Sequence, residues 1–506
     1  MGFLSDKELQ NRPERAERVL FAFGMLVLAA ISSWLFLWNL GASSISGASD
    51  EVIYVRVVQG ILHGDHVFPL YHGNNPTFEK PPLKLWLSAV FPWLLGESNL
   101  SFRLLDGLLG IVCVLLTVLL AYRLFGSRLG AVCVGFLVLV APEWLLFQHS
   151  FRTVVLDGLL TALSLGIALA GLSLGQRMSR SAPFAVPLWS LSFLGSLAVL
   201  TKSVGGLVPV ACAVCALCVS GMARGRYKKL WPLVLPALVL ALYVGAVALV
   251  GGYPAVKVFI GVEIFDRVMS GFSGHNTGDR WYYLRYVFHR GGLAPAYLLI
   301  AGLLGSLVAA REDLRFRFLL PWVLLPIGLY SLSSSRVPWY LSPFVPFASM
   351  VAIFGVVWTV KHAKSHLVRT CLVVVVLMLA IPPYARALNR AVRYVSKSVE
   401  RLEIDLLIEH ITAHHDSFVI VGNALSGRSN PVRGRFNVEG IYREMLKPNL
   451  VAVKTPQEIP HNGRYVAFLK EEHIPFMPPG GAIVANLKPN GVRQYPVVLM
   501  EYNHAQ

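Results

Sequence analysis

Charged residues are scarce in this chain of 506 residues: they make up 14% of it, whereas 55% of its residues are hydrophobic. Soluble globular proteins carry about 25% charged residues, so this composition excludes an ordinary soluble domain and predicts a membrane protein. Acidic residues are the scarcer charge, with 28 against 45 basic residues and a formal net charge of +17. The basic residues cluster at the ends of apolar runs, so we interpret the charge as membrane topology and predict no nucleic-acid partner.

Cysteine is also sparse, and its placement excludes a disulfide framework. All six cysteines lie within apolar runs: Cys113, Cys133, Cys212, Cys215, Cys218 and Cys371. The spacing of Cys212, Cys215 and Cys218 resembles a metal motif, but the surrounding residues are apolar and supply no further ligand. We therefore predict that these cysteines pack inside helices and bind no metal.

Long apolar runs recur along the first three quarters of the chain. A helix needs about 20 apolar residues to cross about 30 Å of hydrocarbon. We predict eleven spans, at 19–40, 102–124, 128–147, 153–175, 184–201, 204–222, 229–250, 291–310, 318–333, 338–360 and 367–384. A shorter apolar piece at 83–95 is predicted to lie on the membrane surface, because it is too short to cross and crossing would bury Lys84 in the bilayer. The predicted fold class is a polytopic α-helical membrane protein.

The basic residues predict the orientation, because Lys and Arg are retained in cytoplasmic loops. Basic clusters precede the first predicted span and mark every second turn after it: Arg12, Arg15 and Arg18; Arg123 and Arg128; Arg177 and Arg180; Arg224, Arg226, Lys228 and Lys229; Arg311, Arg315 and Arg317; Lys361, Lys364 and Arg369. This alternation predicts a cytoplasmic N-terminus and a tail on the outer side. No cleavable signal peptide is predicted, because the charged head from Lys7 to Arg18 precedes a full-length span.

The first predicted outer segment, 41–101, carries adjacent carboxylates directly after the first span. Asp50 and Glu51 are costly at the mouth of a span unless a site uses them. Further along, prolines stiffen the chain around Glu79 and Lys80 and would hold both at headgroup depth. A cation there suits the phosphate of a lipid. The alternative is a solvated loop charge beside a lysine that snorkels to the interface.

Charged residues also mark two span ends that are predicted to face outward. Arg152 and Asp157 lie five residues apart where an apolar span begins, and an acid inside a span usually has a function. The alternative is a structural arginine–aspartate pair that steadies the helix ends. Lys202 ends a span on the side that disfavours lysine, and a helix start with glycines follows it, a combination that favours phosphate.

The second predicted outer segment, 251–290, contributes His275 and Arg280 as candidates for ligand contact, and the last outer turn adds Arg336 and Tyr340. Cations suit a phosphate leaving group, because negative charge accumulates there as a glycosyl–phosphate bond breaks. A carboxylate suits removal of a proton from an acceptor hydroxyl. Transfer of a sugar from a lipid phosphate requires both.

Several motifs of the chain follow one another in an order that is typical of a known superfamily. They are Asp50-Glu51, Phe78-Glu-Lys-Pro81, Arg152 through Asp157, Thr201-Lys202 and Ser333 through Pro343. In this order they resemble the polytopic GT-C glycosyltransferases of the protein O-mannosyltransferase-like superfamily, especially the bacterial aminoarabinose transferases that modify lipid A. The resemblance covers roughly residues 15–385.

The resemblance implies a GT-C fold, a polyprenyl-phosphate sugar donor and inversion at the anomeric carbon. Asp50, with Glu51 beside it, matches the candidate acid of the first loop, and Asp157 matches the second acidic position. Lys80 and Lys202 match positions that hold the lipid phosphate. Arg336 is a further candidate for the donor phosphate. The candidates for the cavity wall or the acceptor are Glu79, Arg152, His275, Arg280 and Tyr340.

Three features of the sequence depart from the aminoarabinose transferases. Ile53 stands where that group has arginine, and Arg336 stands where it has lysine. The residues Pro82-Leu-Lys84 also differ from the segment that usually follows Lys80-Pro81.

The tail is predicted to be a separate domain. We divide the chain into a transmembrane catalytic domain at 1–385 and a small soluble α/β domain at 386–506, placed in the periplasm. Within the tail, a helix is predicted at Val399–His410 and strands at Phe418–Val421, Leu450–Val453, Tyr465–Leu469 and Ala482–Ala485.

The sequence therefore predicts an inverting glycosyltransferase of the bacterial inner membrane. Its partners would be a polyprenyl-phosphate sugar donor, membrane lipids, and an acceptor that is lipid A, another envelope glycan or a protein. No cofactor is predicted with certainty; a divalent metal stays an alternative because carboxylates and histidines cluster, although no ligand spacing indicates one. The main rival is a lipid-linked sugar flippase or secondary transporter, which would need ionisable residues near mid-span. A non-catalytic scaffold or receptor is a third reading.

Overall fold

A computed structural model describes residues 6–42, 49–64, 67–72, 75–146, 149–270, 278–289, 296–397, 418–421, 450–453, 464–470, 481–487 and 497–503. The chain forms two compact units. The first comprises Met1–Leu40 and Val57–Val395, and the second comprises Gly41–Arg56 and Ser396–Gln506.

The first unit is almost entirely helical. Its helices are α1 (Asp6–Leu37), α2 (Ser49–Leu62), α3 (Leu83–Leu95), α4 (Asn99–Phe125), α5 (Arg128–Leu139), α6 (Pro142–Leu145), α7 (Asp157–Ser179), α8 (Ala185–Lys202), α9 (Leu207–Val219), α10 (Leu235–Val256), α11 (Arg267–Met269), α12 (Tyr282–His289), α13 (Ala296–Ala309), α14 (Leu314–Leu319), α15 (Pro321–Leu332), α16 (Val345–Lys361) and α17 (His366–Lys397). The start of α2, up to Arg56, belongs to the second unit. Tighter 3-10 segments occupy Ser203–Gly206, Tyr227–Val234 and Pro338–Phe344, and a π-helix occupies Lys257–Asp266.

Seven helical segments among the described residues are long and apolar enough to cross a membrane: Glu17–Leu37, Asn99–Phe125, Asp157–Ser179, Ala185–Val219, Tyr227–Asp266, Pro338–Lys361 and His366–Arg393. Large apolar side chains stay exposed on such helices, as at Leu249, which is 89% exposed. Apolar surface of this kind suits contact with lipid. The chain is a polytopic α-helical membrane protein, as predicted, and every predicted span overlaps a helix.

Helix α4 shows how local sequence sets these elements. Ser98 and Ser101 form a capping box at its start, in which each side chain accepts from the other residue's backbone N–H. At its end Gly126 adopts a positive φ of 72°, and its N–H donates to the Tyr122 carbonyl at 2.7 Å. Both signals bound a helix of 27 residues, long enough to span a bilayer.

Glycine allows a close helix crossing in the first unit, between α13 and α16. A Cβ on Gly355 would overlap the Gly302 carbonyl oxygen, and a Cβ on Gly302 would overlap the backbone of Val351 and Ala352. Small residues at such a crossing let two backbones approach within contact distance, as is common between membrane helices.

The predicted first outer segment contains regular structure that the sequence did not indicate. Helix α2 covers Ser49–Leu62, and strands β1 (Leu70–His72) and β2 (Asn75–Thr77) form an antiparallel hairpin. The short apolar piece forms helix α3, near the start of which lies Lys84. Its side chain is fully buried within protein, 2.9 Å from Asp106, because the ammonium finds a carboxylate partner there.

The second unit contains a mixed five-stranded sheet formed by β3 (Phe418–Val421), β4 (Leu450–Val453), β5 (Arg464–Lys470), β6 (Gly481–Leu487) and β7 (Val497–Asn503). The strand order is β4-β3-β5-β7-β6. Strand β3 pairs in parallel with β4 and β5, and β7 pairs antiparallel with β5 and β6. The four predicted strands are confirmed, and β7 was missed. The predicted helix at Val399–His410 lies outside the described residues.

Candidate functional site

The centre of the candidate site is the carboxylate of Asp157, the first residue of α7. The Lys202 ammonium, at the end of α8, donates to Asp157 Oδ1. His149 Nδ1 lies 3.0 Å from Asp157 Oδ2, and since an ionised carboxylate can only accept, Nδ1 carries the proton. Asp157 is 1% exposed, so this buried charge is compensated by two neighbours.

Aromatic rings from the last predicted outer turn cover this cluster. The Lys202 ammonium lies 5.2 Å from the centre of the Tyr340 ring, a cation–π distance. The His149 ring stacks on Trp339, with centroids 4.5 Å apart and planes within 3°. The 3-10 segment Pro338–Phe344 thus brings two rings against residues of α8 and of the turn before α7.

The backbone at Lys202 explains how a lysine comes to end a helix at this point. The next residue, Ser203, has a φ of 45°, a left-handed conformation that breaks α8. At Gly206 the chain passes so close to α8 that a Cβ would overlap the Ala198 carbonyl. The glycines that the sequence placed after Lys202 therefore serve a tight return of the chain, and α9 begins directly afterwards at Leu207.

Two buried arginines hold the end of α1 next to the cluster. Arg152 donates to the carbonyl oxygens of Leu35 and Trp38, each at 2.8 Å, and Arg103 donates to that of Leu40 at 3.2 Å. Leu35 lies in the last turn of α1, where carbonyls have no partner within the helix, and Trp38 and Leu40 directly follow its end. Arg152 and Arg103 therefore tie down the end of α1.

Arg336 is buried in the turn that leads to Tyr340. One terminal nitrogen donates to the Ser331 carbonyl at 3.3 Å, and its Nε is buried without a hydrogen-bond partner among the described residues. A guanidinium in this state is suited to an anionic ligand, because a buried donor left unpaired is costly.

Glu143 is a buried acid that the sequence did not single out. Its carboxylate accepts from the Tyr286 hydroxyl at 2.7 Å, which joins α6 to α12. Nearby in the chain, the Tyr283 hydroxyl donates to the Val337 carbonyl at 3.1 Å. Burial raises the pKa of Tyr283, so this donor stays protonated. Helix α12 therefore helps to hold the turn that carries Arg336 and Tyr340.

The remaining predicted residues are placed more separately. The Lys80 carbonyl accepts from the Tyr243 hydroxyl at 3.1 Å, and the Lys80 side chain is half-buried, while Glu79 is exposed. Arg280 is exposed just before α12, and His275 lies outside the described residues. Asp50 and Glu51 occupy the first turn of α2 in the second unit, where the helix dipole favours acids.

The structure thus brings together Asp157, Lys202 and Tyr340 among the predicted residues, and adds His149 and Trp339. His149 stands eight residues before Asp157, at the start of the motif that contains both. Its signal was a histidine at a predicted outer turn, which by itself did not distinguish it from others. No cluster of three or more metal-ligating side chains occurs in the part of the chain that the structure describes.

Comparison with known proteins agrees with the motifs. Residues 79–249 match the family model described as dolichyl-phosphate-mannose-protein mannosyltransferase. The undecaprenyl phosphate-alpha-4-amino-4-deoxy-L-arabinose arabinosyl transferase of Edwardsiella ictaluri is 28% identical over 335 residues, which are 62% of this chain and 56% of that protein. The protein of the same name from Pseudomonas paraeruginosa is 27% identical over 372 residues, 71% of this chain and 62% of its own. The chain thus spans less than two thirds of the length of these relatives.

Solved structures show the shared fold. The crystal structure of ArnT from Cupriavidus metallidurans bound to undecaprenyl phosphate matches with a TM-score of 0.60 and 18% identity, covering 96% of this chain and 97% of that one. The apo structure of the same protein matches with a TM-score of 0.57 and 17% identity, covering 97% and 98%. The resemblance to mannosyltransferase-like proteins and aminoarabinose transferases that the motifs predicted is confirmed.

Proposed function

We propose that this chain is an inverting glycosyltransferase that moves a sugar from a polyprenyl-phosphate donor to an acceptor in the bacterial cell envelope. The observation that carries the proposal is the Lys202–Asp157–His149 cluster beneath Tyr340, at one end of a bundle of membrane helices. A cation held at the membrane boundary by a buried carboxylate suits a lipid phosphate. The names of the relatives, which include undecaprenyl phosphate-linked aminoarabinose, support the same donor class.

In the proposed reaction an acceptor hydroxyl oxygen attacks the anomeric carbon of the sugar. The bond from that carbon to the phosphate oxygen breaks, and the polyprenyl phosphate leaves with the electron pair. Lys202 and Lys80, with Arg336 assisting, stabilise the charge that accumulates on the leaving phosphate. The buried guanidinium of Arg336, whose Nε has no hydrogen-bond partner among the described residues, supports this role.

The proton of the acceptor hydroxyl passes to a carboxylate, for which Asp50 is our first choice. Both oxygens of Asp157 already have partners, which favours a role in holding Lys202 over a role as base. Glu51, Glu79, Arg152, His275, Arg280 and Tyr340 are proposed to position groups or bind the acceptor. The acceptor is lipid A or another envelope glycan in our preferred reading, with protein as the alternative.

The proposed topology has about eleven spans, as the recurrence of runs of about 20 apolar residues suggests. The N-terminus is cytoplasmic, the catalytic domain covers 1–385, and the domain at 386–506 is periplasmic. The basic clusters that alternate along the sequence support this orientation in a bacterial inner membrane.

The buried charges favour the enzyme over a flippase or transporter. In the described part of the first unit the buried charged side chains, with His149, lie in predicted outer segments or near the outer ends of predicted spans: Lys84, Arg103, Asp106, Glu143, His149, Arg152, Asp157 and Arg336. A transporter with access from both faces needs ionisable groups near mid-span. Charges gathered at one end suit a reaction that occurs there.

A transfer assay tests the proposal. The purified chain is incubated with radiolabelled undecaprenyl phosphate-alpha-4-amino-4-deoxy-L-arabinose, or a second polyprenyl-phosphate sugar, and a bacterial envelope extract. We expect label to move to an extract component, and Lys202→Ala to lower kcat by about 10²–10³-fold. Label that crosses a vesicle bilayer unchanged would instead identify a transporter, and no movement of label from either donor would refute the transferase.

A further inference from the structure

A fully buried ion pair lies beside the Asp157 cluster and takes no part in the proposed chemistry. Lys84, near the start of α3, and Asp106, in α4, both have side chains that are 0% exposed, with 2.9 Å between Nζ and Oδ2. Lys84 also donates to the Ser88 hydroxyl at 2.6 Å. The cost of removing two charges from water offsets much of their attraction, so such a pair is a weak source of stability. It is, however, a strict geometric constraint, because the ammonium is held by two fixed acceptors.

Asp106 contacts α7 at the residue that follows Asp157. A Cβ on Gly158 would lie 2.9 Å from Asp106 Oδ1 and 3.3 Å from the Phe151 ring, so the carboxylate fills the space that a side chain would need. The first turn of α7, which presents Asp157 to Lys202, therefore rests directly on the ion pair.

Lys84 connects the same pair to the segment of Lys80. Helix α3 begins at Leu83, three residues after Lys80, and the Lys80 carbonyl is held by the Tyr243 hydroxyl at 3.1 Å. The chain between Lys80 and Lys84 contains two prolines, which restrict its backbone. A displacement of Lys84 is therefore transmitted to Lys80.

We infer that the Lys84–Asp106 pair is a positioning device that fixes the first turn of α7 relative to the Lys80 segment. The pair would thereby set the distance between Lys80 and Lys202, because Asp157 in that turn holds Lys202. This inference rests on the proposed function, because that function assigns both lysines to the donor phosphate. A misplacement of about 1 Å in such a site costs about 100-fold in rate, so a remote pair of this kind has a measurable effect on turnover.

The test uses the whole chain of 506 residues with Lys84→Met, Asp106→Leu and the double variant. Each single variant leaves a buried charge without its partner and is expected to lower both the unfolding temperature and kcat. The double variant replaces the pair with apolar side chains, so its unfolding temperature is expected to recover, while kcat stays about tenfold or more below that of the parent. If the double variant recovers both the unfolding temperature and kcat, the pair has only a structural role and the inference is overturned.

A second variant leaves both charges in place. Gly158→Ala puts a Cβ against Asp106 and is expected to lower kcat about tenfold or more. Its matched control, Gly171→Ala in the same helix, meets Ala213 at an ordinary 3.6 Å and should keep the parent's kcat. Equal effects of the two alanines on kcat would contradict the positioning role.

Hydrogen exchange gives a readout that does not depend on turnover. In the double variant the amides of residues 157–161 are expected to exchange faster than in the parent, while those of α5 stay unchanged. Unchanged exchange at 157–161 would overturn the inference even if kcat fell. If exchange at 157–161 is faster in the double variant but the parent protein transfers no sugar, the proposed function is refuted and the structural coupling stands.

Discussion

Asp157 binds a cation with one oxygen and a histidine with the other. The Lys202 ammonium donates to Oδ1, and His149 Nδ1 donates to Oδ2 at 3.0 Å. A carboxylate engaged in this way is less suited to take a proton from an acceptor hydroxyl, because each of its oxygens already accepts a hydrogen bond. Asp157 is better suited to orient Lys202. The base in our proposal is Asp50.

We expect Asp50→Asn to lower kcat by about 10²–10⁴-fold, the usual contribution of a general base, because an amide cannot accept the proton. The variant should keep the unfolding temperature of the parent, because asparagine has nearly the same shape. Glu51→Gln is the matched neighbour and should lose less activity. Turnover at the parent's rate in Asp50→Asn would reject the assignment.

His149→Phe removes the hydrogen bond to Asp157 and keeps a ring that stacks on Trp339. Loss of a partner for a buried carboxylate costs about 1–3 kcal/mol, so we expect kcat to fall about 10- to 100-fold as Asp157 and Lys202 reorient. The control is Trp339→Leu, which removes the stacking and leaves the hydrogen bond. We compare kcat of both variants in steady-state assays. A larger loss of kcat in Trp339→Leu would mean that the site requires the stacked ring and not the hydrogen bond.

Asp157, Lys202 and Tyr340 could be found from the sequence, but their pairing with one another and with His149 and Trp339 could not. Asp157 and Lys202 stood out because charges at span ends are costly in a membrane. Their contact joins positions 45 residues apart, which no local pattern encodes. The Lys84–Asp106 pair was missed for a related reason: Lys84 was considered alone, and its partner Asp106 lies in another helix.

Elements with one dominant hydrophobic pattern were predicted well. The predicted spans overlap helices, and strands β3 and β4 have the bounds that the sequence indicated. Helix α2 was missed because its Val-Ile-Tyr-Val stretch, Val52 to Val55, is rich in residues that favour strands. Its first turn carries Asp50 and Glu51, whose charges favour a helix start. Strand β7 was missed although it lies between β5 and β6, because it follows a polar stretch close to the end of the sequence.

The crossing of α13 and α16 predicts a strong effect of a single methyl group. Gly355→Ala would force a Cβ into the Gly302 carbonyl, so we expect a loss of about 1–3 kcal/mol in the free energy of unfolding, the usual cost of overpacking. Gly328→Ala is the control, because no heavy atom lies within 4 Å of a Cβ at that position. Thermal unfolding in detergent should separate the two variants. Equal unfolding temperatures would show that the two helices can move apart without cost.

At the scale of the whole molecule, the buried charges and the basic loops predict the same orientation of the chain in the membrane. Buried charged side chains of the first unit gather at one end of the helices, where Lys84, Asp106 and Asp157 lie close together. The basic clusters mark the opposite ends, as at Arg224 and Lys228, and their side chains are exposed. Lys and Arg in such loops stay in the cytoplasm, so the end with the buried charges should face outward.

Labelling of engineered cysteines tests that direction. In a variant without the six native cysteines, single cysteines replace the exposed residues Arg280 and Glu79 on the predicted outer side, or Lys228 and Glu312 on the inner side. In intact cells whose outer membrane is permeable to the reagent, an impermeant thiol reagent should label the first two and spare the others until the inner membrane is opened. Because a phosphate-linked lipid sugar must reach Lys80 and Lys202 from one face, labelling of Glu79→Cys and Arg280→Cys from opposite sides would contradict both the topology and the site.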